Sequence, residues 1–181
     1  PVHGPFRAKP LQRLGHADRH GAQVELRHCP LVQGLDADEL ARLQAASTVE
    51  HFPQGSLLFR RGDPGDAIYI GLSGDIGLRV PGGTRRLASF GAGSNLGEMG
   101  VLSHGRRSVD AVAETDVVAL RVPAASFHHW REAHPHMAAK LLNNIALHLA
   151  DRLQVLTGDL AYWMQRAEAA GGRAQLAGDA G

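Results

Sequence analysis

The sequence predicts a mainly β fold, a sandwich or barrel with flanking helices. Between residues 49 and 122, short apolar or alternating runs sit between clusters of Gly, Pro and Asp, the spacing of many short strands joined by turns. Ile76, Leu78 and Val80 alternate with other residues, so one face of that segment is expected in a core. From Ala124 onward the texture becomes helical.

Residues 1–15 mix Pro, Gly, Arg and Lys without periodicity and read as a loose lead-in. A short helix is expected over 16–28, with Val24 and Leu26 as its apolar residues and Pro30 interrupting it. Asp36 is a good N-cap, and Glu39 three residues on completes a capping box. Leu40 and Leu43 give the following helix, 36–46, its apolar face. Strands are expected at 56–59, 67–72, 76–80, 85–90 and 117–122, with Pro81, Gly82, Gly83 and Thr84 turning a hairpin. A short helix over 126–131 comes next. Pro135 suits the first turn of a long helix running from 136 to about 165. Gly158 weakens that helix by roughly 1 kcal/mol relative to Ala. The Gly/Ala-rich stretch 171–181 is expected to be disordered.

With 181 residues, the chain can hold one domain with a real core. A net charge of +1 supplies no basic field for nucleic acid. Cys29 is the single cysteine, cannot form an internal disulfide, and fits a reducing, cytoplasmic compartment as a structural thiol. No apolar run approaches the ~20 residues needed to span a membrane, and no signal-peptide pattern is present. Residue 1 is Pro, which fits a processed protein or a piece of a longer one. His128, His129, His134 and His136 lie close together, but no Cys or acidic residue stands at a metal-site spacing, so no metal is expected; His16 and His20 are an equally weak pair. Neither a dinucleotide fingerprint nor a Walker sequence nor a nucleophile elbow is present, so no enzymatic activity is expected.

The most informative segment is Gly97, Glu98, Met99, Gly100, Val101, Leu102, followed by Gly105, Arg106, Arg107, Ser108, Val109. A helical turn starting at Gly97 aims free backbone N–H groups at an anion. Arg107 can grip a phosphate with two prongs, which Lys cannot. Glu98 only accepts at neutral pH, so a hydroxyl is its natural partner. A phosphate and a sugar hydroxyl on one small molecule describe a nucleotide. The plain alternative is that Glu98 and Arg107 form a structural salt bridge in a loop.

This segment resembles the phosphate-binding cassette of the cyclic nucleotide-binding domain family. The resemblance extends upstream through Gly55, Gly62, Asp63, Asp66, Tyr69, Ile70, Ser73, Gly74 and Ile76, and covers about 30–155. It implies a jelly-roll-like β-barrel with a short cassette helix and a long C-terminal helix. It also implies a domain division: 1–30 as an N-terminal extension, 31–133 as the ligand-binding barrel with its leading helix, 134–165 as a lid or dimerisation helix, and 166–181 as a disordered tail. By resemblance, Arg107 pairs with the cyclic phosphate and Glu98 with the ribose 2′-hydroxyl. Gly97 and Met99 contribute backbone. Ser108 helps hold the phosphate or meets a guanine amino group, Val109 donates a backbone N–H, Leu87 lines the base side, and Arg152 is the lid residue. The implied ligand is cAMP or cGMP, with cAMP favoured, and no other cofactor is implied. Three positions depart from the family pattern. Leu96 stands for an aromatic, Arg106 for a common Pro, and Asp110 for a small or apolar residue. The alternative these departures raise is a structural or dimerisation module with a degenerate, non-binding pocket.

Leu142, Leu149, Leu156 and Trp163 recur every seven residues, with Ile145, Leu153 and Leu160 between them, close to a coiled-coil seam. Either one amphipathic helix packs on its own barrel, or two such helices pair in a homodimer; the dimer is the expectation carried forward. Relatives resembling the bacterial catabolite activator continue into a helix-turn-helix. Only a Gly/Ala tail follows here, so direct DNA binding is not expected and a fused or separate effector is.

Overall fold

A computed structural model describes residues 9–10, 26–80, 82 and 86–178; side chains are described within these except at 9, 10, 159, 163, 165 and 167–178. The expected helix over 16–28 lies outside the described residues except at 26–28, which are helical, and of the hairpin turn only Gly82 is described.

The predicted β fold is present as two antiparallel sheets. One has the order β1–β2–β9–β4–β7, built from Lys9–Pro10, Thr48–Phe52, Val117–Pro123, Ala67–Ser73 and Asn95–Leu96. The other has the order β3–β8–β5–β6, from Leu57–Phe59, Asp110–Ala113, Ile76–Arg79 and Arg86–Phe90. Lys9 and Pro10 pair with Val49 and Thr48, so part of the expected loose lead-in is an edge strand. Leu58, Phe59, Tyr69, Ile76, Leu96, Ala111 and Val117 share one core cluster with their neighbours. Small residues at 67, 111, 113 and 119 let the sheets approach around the aromatic rings of Phe59 and Tyr69, which lie 5.9 Å apart. Ile76 is buried, but Leu78 is only half-buried and Val80 is 47% exposed, because β5 runs out of the core toward its hairpin end.

Helix α1, Ala37–Ala46, begins where its cap predicts. Asp36 Oδ1 accepts from Glu39 N at 2.8 Å, and Asp36 N donates to Glu39 Oε2 at 2.9 Å. A cap of this kind contributes ~1 kcal/mol. Leu43 is fully buried beneath it. Helix α2, Glu98–Leu102, interrupts the strands, and α3, Ala124–Ala133, follows β9 and buries Phe127 and Trp130.

Helix α4 spans Pro135–Gly178. The chain divides at Ile145 into two compact units. In the first unit α4 buries Met137, Ala138, Leu141 and Ile145. It is also tied to the chain's front end. Asn144 Nδ2 donates to Leu31 O at 2.9 Å and Gln33 O at 2.8 Å, and Lys140 Nζ lies 2.7 Å from Glu39 Oε2. The second unit, 146–178, is helical throughout its described length, with Leu147, Leu153, Leu156 and Leu160 exposed. The sequence predicts a helix that ends near Gln165, with disorder beyond. Alanines at 167, 169 and 170 have the highest helix propensity, and the helix continues to Gly178.

Cys29 is fully buried next to the 3-10 turn Pro30–Val32. Burial pushes its thiol up to about 11, against two backbone N–H contacts that lower it. Because the thiolate is the reactive form, a thiol-modifying reagent at pH 8 is expected to leave native protein unlabelled over a time in which urea-unfolded protein reacts fully. Equal labelling rates would contradict this burial.

Candidate functional site

The site is assembled from a turn, a short helix and a loop. Gly97 adopts φ 89°, the left-handed region that favours glycine, and caps α2. Its carbonyl accepts from Arg107 Nη1 at 2.9 Å, and a Cβ at Gly97 would overlap that same nitrogen. Glu98 follows at once and is 1% exposed. The two residues singled out by the sequence are thus brought to one place.

Arg107 is 4% exposed. Its Nη2 donates to Ala67 O at 2.8 Å and meets Asp66 Oδ1 at 3.3 Å. Its Cζ stacks over the Phe59 ring at 4.3 Å. Burial holds the guanidinium below its ordinary pKa, and Tyr69 and Asp66 act in the opposite direction. An acid that the structure places beside Arg107 is Asp66.

The loop 60–66 holds this arrangement. Asp63 Oδ2 accepts from Arg60 N at 2.8 Å, turning the chain. Gly62 N donates to Arg107 O, Arg107 N to Asp63 O, and Gly65 N to Gly105 O, at 2.8, 2.8 and 3.0 Å. Pro64 and Arg106 form an isolated bridge in this ribbon. Gly65 and Gly100 meet backbone to backbone, since a Cβ at Gly65 would overlap the Gly100 carbonyl group.

The positions that departed from the family pattern have their own partners. Asp110 Oδ1 accepts from Arg61 N at 2.7 Å, and Arg106 Nη1 donates to Gly62 O at 2.7 Å. Leu96 is buried in the core cluster. Of the other expected site residues, Ser108 and Val109 form the bend after Arg107, the first exposed and the second half-buried. Met99 is on α2 with a 58% exposed side chain, and its carbonyl accepts from Ser103. Leu87 is on β6 and 53% exposed. Arg152 belongs to the second unit.

Sequence reasoning missed Arg121. It pairs with Tyr69 across β9 and β4, and its Nη2 lies 2.6 Å from Asp66 Oδ2. Its Nε lies 3.7 Å from Glu50 Oε1. Burial would lower its pKa, but the neighbouring Asp66 and Tyr69 outweigh burial and raise it. Burial raises Glu50 against the pull of Arg121. No local pattern marks such a residue, because its partners come from three other segments. Among the described residues, no group of three or more His, Cys, Asp or Glu could hold a metal, and no helix is long and apolar enough to cross a membrane.

A groove of about 220 Å³ lies elsewhere, lined by Glu39, Arg42 and 133–137 at the α3–α4 junction. Within the cassette, Glu98 and Arg107 are both buried.

Glutaminase 1 of Bradyrhizobium diazoefficiens is 39% identical over 141 residues, which are 78% of this chain and 22% of that protein. The chain spans about a fifth of the length of the curated glutaminase relatives it matches. The Cyclic AMP receptor protein of Thermus thermophilus is 38% identical over 96 residues, 50% of this chain and 44% of that protein. The solved N-terminal domain of a transcriptional regulator from Streptomyces coelicolor A3(2) is 30% identical, with a TM-score of 0.62 over 71% of this chain and 94% of its own. Residues 49–134, which contain the turn at Gly97, Glu98 and Arg107, match the model of the Cyclic nucleotide-binding domain; the chain belongs to that family.

Proposed function

We propose that this chain binds a cyclic nucleotide at the α2 turn, with Arg107 on the cyclic phosphate and Glu98 on the ribose 2′-hydroxyl. The observation that carries this reading is the convergence of a buried guanidinium and a buried carboxylate on the left-handed turn at Gly97. Gly97 and Met99 line the ribose and phosphate, Ser108 and Val109 complete the phosphate side, and Leu87 meets the base. Arg152 is the proposed lid. The role is binding without turnover, and cAMP is favoured over cGMP, in keeping with the similar Cyclic AMP receptor protein. Binding is passed through α4 to an effector, fused or separate. The glutaminase relatives, which carry a matching region within a much longer chain, support a fused one. Exposed Leu153, Leu156 and Leu160 support a homodimer through α4.

Titration calorimetry with cAMP and with cGMP tests the reading, the tighter ligand naming the signal. One observation favours a second reading, a pocket that stays shut: Arg107 already satisfies Gly97 O, Ala67 O and Asp66. Heat with neither nucleotide, on folded ligand-free protein, would select it.

The Glu98 role has its own check. Glu98→Gln is expected to weaken cAMP by ~1.5–3 kcal/mol, the size of a hydrogen bond to a charged group, or roughly 10- to 150-fold. The 2′-deoxy analogue should lose a similar factor on the unaltered chain and little on the variant. Equal losses on both would place the carboxylate elsewhere.

A further inference from the structure

Asp66 is shared unequally by two guanidinium groups. Its Oδ2 lies 2.6 Å from Arg121 Nη2, while its Oδ1 lies 3.3 Å from Arg107 Nη2. Its side chain is 57% exposed, whereas Arg107's other partners are backbone carbonyls of the fold. An anion arriving at Arg107 therefore has one group it can displace without breaking the turn, the Asp66 carboxylate. The Asp66 backbone is pinned, since Ala124 N donates to its carbonyl at 2.8 Å. The carboxylate can turn toward either arginine while the loop stays in place.

We propose that Arg121 is a positioning residue for the ligand: by drawing Asp66 to itself, it leaves the Arg107 guanidinium incompletely neutralised and ready for a phosphate. This rests on Arg107 as the phosphate ligand. Arg121 is fit for the task because its Nε lies 3.7 Å from Glu50 Oε1 on β2 and its backbone is in register with Tyr69 on β4. Tyr69 also faces the Arg107 guanidinium, its ring centroid 5.9 Å from Cζ, so one side chain spaces the two cations. Without Arg121, Asp66 has a single cation left and closes on it with both oxygens, the geometry in which carboxylate–guanidinium pairs are strongest. A phosphate must then compete with a bidentate carboxylate in a site that has also lost one positive charge.

The test is a double-mutant cycle on the full chain, with cAMP affinity and thermal unfolding measured for Arg121→Gln, Arg121→Lys, Asp66→Asn and the Arg121→Gln/Asp66→Asn pair. Arg121→Gln is expected to weaken cAMP about three- to fivefold, the upper end of the scale of one partly exposed charge pair. Arg121→Lys should recover most of that loss. In the Asp66→Asn background the Arg121→Gln change should cost less than about twofold, because the competing carboxylate is gone. An equal loss in both backgrounds would mean that Arg121 acts only through folding or general charge, and would overturn the proposal. A second readout needs no ligand. The ¹⁵N signals of the Arg107 guanidinium should shift in Arg121→Gln and return in the pair variant. Arg107 signals indifferent to Arg121 would overturn the positioning role even if neither nucleotide bound, the result by which the binding reading itself would fail.

Discussion

Arg107→Ala is expected to remove measurable micromolar binding of either cyclic nucleotide. A cyclic phosphodiester carries one negative charge, and losing its buried cation costs roughly 2–5 kcal/mol, or about 30- to 4000-fold in affinity. The same change also strips a donor from the Gly97 and Ala67 carbonyls, at ~1–3 kcal/mol for each carbonyl left unsatisfied in the interior. The turn that presents Glu98 would loosen along with the charge. Arg107→Lys separates the two effects. It keeps the charge but lacks the fork that reaches both carbonyls and an anion together. Calorimetry beside circular dichroism is the measurement. Unchanged affinity in a folded Arg107→Ala protein would remove the cassette from any role in binding.

Gly65→Ala is the second large effect, and it acts on the fold. Gly65 sits at an ordinary φ, so alanine is not strained there; the obstacle is space. The new Cβ would overlap the carbonyl group of Gly100, which is backbone within α2 and cannot rotate aside. Either the loop 60–66 or α2 must move, and both carry the site. Overpacking of this kind costs on the order of 3 kcal/mol, which for a chain of this size lowers Tm by about 6–12 °C. Gly55→Ala provides the contrast. It stands in open space at φ 80°, so it carries only left-handed strain of ~1–2 kcal/mol. A thermal melt that ranked the two the other way would show that backbone conformation, and not the loop–helix contact, limits stability.

What the sequence disclosed was what a few adjacent residues determine by themselves. Helix α1 was legible because Asp36 and Glu39 satisfy one another's backbone groups within four residues. Strand β4 was legible because its apolar run has sharp polar borders. The cassette was legible because Gly97 and Arg107 meet across a single short helix. Strands β7 and β8 were not, being short and rich in Asn, Asp or Ala; their extended form comes from partners, Tyr69 and Ile70 for one, and residues of β3 and β5 for the other. The same holds for Asp66 and Arg121, whose ion pair joins a loop to a distant strand. The departures at Arg106 and Asp110 looked like damage to a binding motif. In place they are ties from the cassette region to the loop 60–66, using the Gly62 carbonyl and the Arg61 N–H.

The anchoring of α4 to the chain's front end bears on where this domain can be cut. The family match begins at residue 49, and the turn and loop that form the site all follow it. A fragment trimmed to that start would carry every proposed ligand contact of the first unit. It would also have lost the carbonyls of Leu31 and Gln33, the Glu39 carboxylate, and the buried Leu31 and Leu43. Asn144 and Lys140 would then lose these partners on the first turns of α4. The smallest piece that contains the site is therefore smaller than the smallest piece that keeps it in shape, and a transplanted sensor needs the stretch from Leu26 onward.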